Sequence, residues 1–376
     1  MIALGRELVA RGHEVVLQTW EKWRPHVEAE GMTFDRAPEY QVWPTSGEAL
    51  KPYQAAVRAA EETVPLVRSF DPHAVVADIL TSAAALAAKM DERPWATLVP
   101  HVLPQGEPGW PVYSTGARLP RTAAGRRFWR LFEPLTAHGA RQGREQLNEA
   151  RRRVGLPPFS HVHGGTSREL ALIATFPQLE YPREQWEPWM KVTGPLLWEQ
   201  PNGDVEPPAG DDPLVLIAPS TSQDPDQRML RAALEGLADE PVRVLASTNR
   251  RSGLPQPRDA KLVDWLSYSR AMPLCSAVVC HAGHGTVARA LTCGVPLVAC
   301  PAGGDMAETT ARVAWAGAGV GLPRRLTTPR GVRLAVRKVL AEPGYRERAR
   351  EIAAWSAAHD GPACAADELE RFATLS

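Results

Sequence analysis

Ala277-Val278-Val279-Cys280-His281-Ala282-Gly283-His284-Gly285-Thr286 decides how the chain is read. The small apolar residues fit a buried strand ending at Cys280, and a helical pattern begins near Thr286. The turn between them holds two glycines, two histidines and a threonine. A helix's first turn has free N–H groups and the positive end of the dipole, which suits a phosphate. Gly283 and Gly285 let the backbone come close with no Cβ in the way. Thr286 can cap the helix and donate to an oxygen, and His281 can donate to a phosphate oxygen. A capped helix whose glycines serve only the turn is the plainer alternative; the histidine pair favours a ligand.

Immediately downstream the pattern repeats. Residues 294–308, GVPLVACPAGGDMAE, run from strand to loop to a helix start at Asp305. Asp305 and Glu308 have capping-box spacing, which by itself explains both and is the stronger local reading. The functional alternative has Asp305 accepting hydrogen bonds from hydroxyls of a ligand. Upstream, Ser220-Thr221-Ser222 directly follow an apolar strand at Leu214–Ala218. Ligands of doubly wound sheets sit at the C-terminal ends of such strands. Asp224, Pro225 and Gln227 then read as an N-cap, an N1 proline and the far end of a capping box.

Short apolar runs alternate with helical patterns along the whole chain, the mark of parallel α/β units. The first half reads as helix 1–11, strand 14–19, strand 74–77, helix 82–90, strand 95–99, a polar arginine-rich helix 122–153, and a last strand near 170–175. The second half reads as strand 214–218, helix 226–237, strand 242–246, short strands at 262–265 and 277–280, helix 286–293, strand 296–300 and helix 305–317. The last 35 or so residues are helical and charged. Residues 199–213, EQPNGDVEPPAGDDP, have the Pro, Gly and Asp content of a linker. One feature is odd: the chain opens on a helix that feeds a strand. A doubly wound half has a central first strand, and without it the neighbours keep unpaired edges.

The chain's 376 residues suit two domains. Its 43 basic and 43 acidic residues cancel, so no net field recruits nucleic acid or anionic membrane. No apolar run approaches the roughly 18 residues of a membrane span, and the amphipathic start lacks a signal-peptide core. Cys275, Cys280, Cys293, Cys300 and Cys364 mostly lie in or beside apolar runs and form no CxxC pair. Reduced thiols and a cytoplasmic location are expected. The 35 prolines and 12 tryptophans are unusual, and the Trp- and Pro-rich stretch 93–120 points to an apolar acceptor. His101, after a buried strand, is a candidate acceptor contact. There is no Walker lysine, no metal-ligand spacing and no nucleophile elbow, so no metal and no cofactor is expected.

Residues 263–319, from VDWLSYSRAMPLC through HAGHGT and GVPLVACPAGGDM to WAGAG, resemble the donor-binding region of family 1 glycosyltransferases, specifically the bacterial natural-product type. Weaker likeness extends to RELVARGHEVV at the front and VTGPL before the linker. The resemblance implies a GT-B fold: an acceptor domain over 1–198, a linker at 199–213, a nucleotide-sugar domain over 214–355, and a C-terminal helix at 356–376 packing back on the first domain. Both domains would be Rossmann-like and face a cleft. It implies His281, Gly283, Gly285 and Thr286 around the diphosphate, with Ser220 and Thr221 on the second phosphate loop. Trp265 would lie beside the base, Asp305 against the sugar, and Asp78 would orient a catalytic histidine. The implied reaction is inverting transfer from a UDP or dTDP sugar to a hydroxyl of a small acceptor, by a cytoplasmic enzyme that could form a homodimer. A non-catalytic activator or a sugar-nucleotide epimerase on the same fold are the alternatives.

Three departures qualify this. Asp305-Met306 stands where many relatives carry Asp-Gln, which favours a deoxygenated sugar. Arg289 stands where plant relatives place a ribose-binding glutamate. The family's first strand and histidine loop have no counterpart before Met1, so the start is expected to be an internal methionine. His13 and His101 are the nearest candidate bases.

Overall fold

The computed structural model describes residues 1–39, 52–161, 165–200, 206–220, 224, 226–257 and 259–375. In chain order the first half contains α1 (Ile2–Ala10), β1 (Val16–Thr19), α2 (Arg24–Ala29), β2 (Thr33–Arg36), α3 (Pro52–Phe70), β3 (Val75–Asp78), α4 (Ser82–Met90), β4 (Trp95–Val99), α5 (Ala123–Arg130), α6 (Glu133–Arg153), β5 (Ala171–Ile173) and β6 (Met190–Val192). The second contains β7 (Leu214–Ala218), α7 (Arg228–Leu237), β8 (Arg243–Ser247), β9 (Ala260–Val263), α8 (Tyr268–Ala271), β10 (Ala277–Cys280), α9 (His284–Thr292), β11 (Leu297–Ala299), α10 (Asp305–Ala316), β12 (Gly319–Gly321), α11 (Pro329–Ala341), α12 (Pro343–Ala358) and α13 (Gly361–Leu375).

The second half is one six-stranded parallel sheet in the order β12-β11-β10-β7-β8-β9. Its central strands β7 and β10 are buried at every residue, as strands covered on both faces must be. Alternate side chains of β7 serve opposite cores. Val215 and Ile217 pack with Leu230, Leu234, Val332 and Val336 of α7 and α11. Leu214, Leu216 and Ala218 pack with Val287 and Leu291 of α9 and with Ile352 of α12. The chain builds from β7 outward through β8 and β9, then crosses back to add β10, β11 and β12. The strand order therefore reverses between β7 and β10, where such sheets bind ligands.

The first half is divided. β3-β4-β5-β6 form a four-stranded parallel sheet, and β1-β2 form a separate parallel pair. Among the described residues β1 pairs only with β2 and β3 only with β4, so each keeps one edge without a strand. Leu4 of α1 joins Ala96, Leu98, Leu170 and Leu172 in a core shared with Ala365, Ala366 and Leu369 of α13. Arg11 pairs with Asp367 and Glu370 and fastens the same contact from outside.

Several boundaries differ from expectation for identifiable reasons. The expected single helix over 122–153 is two, broken at Leu131 and Phe132, because Pro134 lacks an N–H and fits only a helix's first turn. The strand near 170–175 does not end the half, since β6 pairs with β5 beyond it. α3 and β2, unread in the sequence, are also present. α9 begins at His284, with Gly283 as N-cap, so Thr286 does not cap it. α10 begins at Asp305 behind Gly304 and makes no side-chain cap, and Glu308 instead binds Arg312 at 2.8 Å. The capping-box reading of Asp305 and Glu308 is therefore overturned. Gly304 sits at φ 57, ψ −136, a conformation open only to glycine, and the loop enters the helix by that route. Asp224 does accept from the amides of Arg228 and Met229, but α7 begins after a left-handed Gln227, and Pro225 lies outside the described residues.

Candidate functional site

The crevice between β7 and β10 is closed by one side chain. His281 Nδ1 donates to the carbonyl of Ala218 at 3.3 Å, tying the loop after β10 to the end of β7. A carbonyl only accepts, so Nδ1 holds the ring hydrogen and Nε2 of the neutral ring holds a lone pair. Burial lowers the His281 pKa below its ordinary value, opposed by Ala218, Asp224 and Asp305. Donation from Nε2 to a phosphate therefore requires the ring to take a proton, which an arriving anion favours.

The glycines divide the work. A Cβ at Gly283 would stand 2.3 Å from His281 Nε2, so only glycine lets the imidazole lie across the helix start. A Cβ at Gly285 would meet nothing within 4 Å. Gly285 therefore leaves open space before the first turn of α9, where amide groups have no intrahelical acceptor. Ala282, fully buried at φ 65, takes the left-handed conformation that a non-glycine residue rarely adopts.

His284 does something the sequence did not disclose. It is buried, and its Nε2 donates across the domain boundary to the carbonyl of Ala174 at 3.2 Å. Its Nδ1 is buried without a partner among the described residues, and burial pulls its pKa down to about 4. It is a neutral pin between the halves. His101 lies on the facing side: it acts electrostatically on His284, and its Nδ1 donates to the Val102 carbonyl at 2.8 Å.

The remaining donor candidates surround the same strand ends. Ser220 is buried just beyond β7, and its carbonyl accepts from Asn249 Nδ2 at 3.1 Å. Asn249, unread in the sequence, thus joins the ends of β7 and β8. Thr221 lies outside the described residues. Trp265 follows β9 in a loop rather than in the expected strand and is 48% exposed, leaving its indole face available for stacking. Asp305 and Glu308, at the start of α10, are near the phenol of Tyr113 and raise its pKa after burial, the larger cause. The Tyr113 hydroxyl is buried and unpartnered among the described atoms. It comes from the first half, so residues of both halves meet here.

In the first half, a cavity of about 1020 Å³ opens beside the end of β3. Trp20, Tyr53, Ile79, Leu80, Ala140 and Leu147 are among its walls, from β1's end, α3, the β3–α4 turn and α6. Neither His101 nor any other residue of the Trp- and Pro-rich stretch 93–120 lines it. That stretch packs between the halves instead: the Arg312 guanidinium lies 5.9 Å from the Trp110 ring, and a Cβ on Gly116 would stand 3.3 Å from Ala307. Asp78, the last residue of β3, directly precedes Ile79 and Leu80 of the cavity wall, and its Oδ1 accepts from the Leu80 amide at 2.9 Å. His13 is not near this site, because it pairs with Glu370 on α13 at 2.8 Å.

Below the cleft the halves are locked by a buried ionic group. Arg312 of α10 donates to Glu308 at 2.8 Å and to Glu180 at 3.2 Å, and stacks on Tyr181 at 3.5 Å. The second oxygen of Glu180 accepts from the Leu103 amide at 2.7 Å. Burial raises the Glu180 pKa against the pull of Arg312. Among the described residues no cluster of His, Cys, Asp or Glu could hold a metal, and no helix is long and apolar enough to cross a membrane.

Comparison with known proteins gives this geometry a context. Residues 227–372 match the C-terminal domain family of the erythromycin biosynthesis protein CIII-like proteins. The chain is 28% identical to 4'-demethylrebeccamycin synthase of Lentzea aerocolonigenes over 98% of its own length and 95% of that protein. It is 29% identical to O-mycaminosyltylonolide 6-deoxyallosyltransferase of Streptomyces fradiae, over 99% and 94%. The structure superposes on the glycotransferase of kitacinnamycin with a TM-score of 0.76 at 20% identity, covering 99% of this chain and 94% of that one. It matches the glycosyltransferase VinC in complex with dTDP with a TM-score of 0.70 at 20% identity, over 100% and 96%. The architecture is thus the GT-B fold.

Proposed function

We propose that the chain, similar along almost its whole length to bacterial natural-product glycosyltransferases, moves a sugar from a nucleoside diphosphate to a hydroxyl of a small acceptor, with inversion. The observation that carries this reading is the His281–Ala218 bridge over Gly283 at the strand-order reversal, with the first turn of α9 open beside it. The diphosphate would lie on that turn, its charge met by the α9 amides and by His281 once protonated. The nucleoside would lie toward Trp265 and the sugar toward Asp305, with Ser220 meeting the phosphates from the end of β7. A solved relative in complex with dTDP supports a thymidine nucleotide.

The acceptor would enter the cavity beside Asp78. Its oxygen attacks the anomeric carbon from the face opposite the phosphate, the bond to the diphosphate breaks, and the nucleotide leaves with both electrons. His101 does not line that cavity but neighbours His284 at the seam between the halves, so the acceptor hydroxyl would have to reach out of the cavity toward that seam to give its proton to His101 Nε2, whose lone pair is fixed by the Nδ1 donation to Val102. Asp78, held by the Leu80 amide, would use its second oxygen to orient the hydroxyl. Met306 offers no hydrogen bond where an amide would hold a hydroxyl, which favours a deoxygenated sugar.

The test is mass-spectrometric detection of glycosylated product from a panel of acceptors with dTDP-deoxysugars and UDP-glucose. Product from a dTDP-deoxysugar is expected, with His101→Ala cutting turnover roughly a hundredfold while donor binding holds. A preference for UDP-glucose removes the deoxysugar reading. An altered sugar with no acceptor product overturns transfer itself.

A further inference from the structure

The most unusual surface of the molecule lies across the junction of α5 and α6. Phe128, Leu131, Phe132 and Leu135 follow the i, i+3, i+4, i+7 spacing of a helix's apolar stripe, while Arg126, Arg127 and Arg130 fall on the other side. Such a stripe is ordinarily covered by a core. Here Phe128 is 53% exposed, Leu131 75% and Leu135 67%. The aromatic rings cluster among themselves, Phe128 with Trp129 at 5.4 Å and Trp129 with Phe132 at 5.3 Å, rather than inserting into a neighbouring element. Residues 121–144 carry six arginines against one glutamate, in a chain whose charges cancel overall at 43 each. The glutamate, Glu133, is engaged by the Gly109 amide at 3.0 Å.

We propose that this face docks on the surface of an anionic lipid bilayer, the α5–α6 junction lying in the interfacial plane with Phe128, Leu131 and Leu135 inserted and Arg126, Arg127 and Arg130 on the headgroup phosphates. An apolar stripe bordered by arginines and carrying Trp and Phe is the chemistry of an interfacial helix. A second copy fits less well, because a two-fold contact would set these arginines against their own counterparts. The position adds a consequence, which rests on the acceptor reading above. α6 runs from the exposed Leu135 to Ala140, Gly143, Arg144 and Leu147 in the wall of the 1020 Å³ cavity. An amphiphilic acceptor dissolved in the bilayer would meet the enzyme on the helix that leads to its pocket.

Co-sedimentation of the purified chain with vesicles tests this without requiring transfer. Vesicles of phosphatidylcholine mixed with phosphatidylglycerol should bind it, phosphatidylcholine alone should not, and high salt should release it. Replacing Arg126, Arg127 and Arg130 together by Gln should weaken partitioning roughly a hundredfold, from about fivefold per charge. Phe128→Ser with Leu131→Ser and Leu135→Ser should do likewise, and these surface changes should leave dTDP binding and the thermal midpoint unaltered. No binding to the anionic vesicles, or equal binding by wild type and both variants, overturns the proposal. So does a dimer in light scattering that the serine variant dissociates, which would assign the face to a second copy. Vesicle binding in a chain that forms no glycoside would leave docking intact and remove only the acceptor consequence.

Discussion

The two halves of the molecule share parallel α/β architecture but differ in how they assemble it. The second half closes six strands into one sheet around β7 and β10, and its candidate site is a single turn plus the ends of four neighbouring strands. The first half splits into a pair and a four-stranded sheet, and its cavity is assembled from β1's end, α3, the β3–α4 turn and α6. A site made by one turn depends on local backbone geometry. A site made by distant elements depends on whatever fixes them relative to one another: α13 against α1, His284 against Ala174, and Arg312 against Glu180.

The largest expected effect breaks the junction between the halves. Arg312→Met leaves Glu180 and Glu308 buried without their cation and should cost roughly 3–5 kcal/mol of stability, read from chemical denaturation. If the halves are independent, the loss should be confined to one unfolding transition, whereas a coupled junction shifts the whole curve. Replacing the group together by apolar or neutral residues, Arg312→Met with Glu180→Gln and Glu308→Gln, should recover much of the loss.

Next comes the pH dependence of the other pin. His284 titrates at about 4 in the fold against 6.5 when free. Between these values the unfolded chain binds the extra proton, so stability is present above pH 6.5 and lost as pH falls toward 4. At about 1.4 kcal/mol per unit, the loss is about 3 kcal/mol. His284→Gln cannot titrate and should flatten this limb of the thermal midpoint between pH 7 and 4. An unchanged limb would move the acid sensitivity to other groups.

The smallest change in stability sharpens the local site. Gly285→Ala enters open space and adds a better helix former, so stability should rise by up to about 1 kcal/mol. The same methyl group should weaken dTDP binding in calorimetry, because it occupies the space before the helix amides. Gly283→Ala should abolish binding at little gain in stability, since its Cβ displaces His281. Equal effects from both variants would mean that the turn serves packing alone.

Much of the second half was legible as sequence. Continuous apolar runs specify buried parallel strands, and β4, β7 and β10 fall on their expected residues. The turn from His281 to Thr286 was readable because glycine and histidine at a strand-to-helix junction constrain backbone and chemistry within a few residues. The capping-box reading of Asp305 and Glu308 failed because a glycine-only conformation at Gly304 starts the helix, leaving Glu308 to Arg312. Spacing alone does not reveal that competition. The stretch 93–120 pointed to an apolar acceptor because tryptophan and proline signal aromatic loops, which an interdomain seam also uses.

By itself the sequence determined the two α/β halves, the strand ends at which a ligand would sit, and the glycine- and histidine-bearing turn after β10, because these depend on local periodicity and on what glycine permits. Only the tertiary structure decided that the two histidines of that turn face different ways. His281 turns back to Ala218 in its own sheet, whereas His284 reaches Ala174 in the other half. The physical reason is that a buried imidazole takes whichever carbonyl the packing brings within reach, and those two carbonyls lie 63 and 110 residues away along the chain.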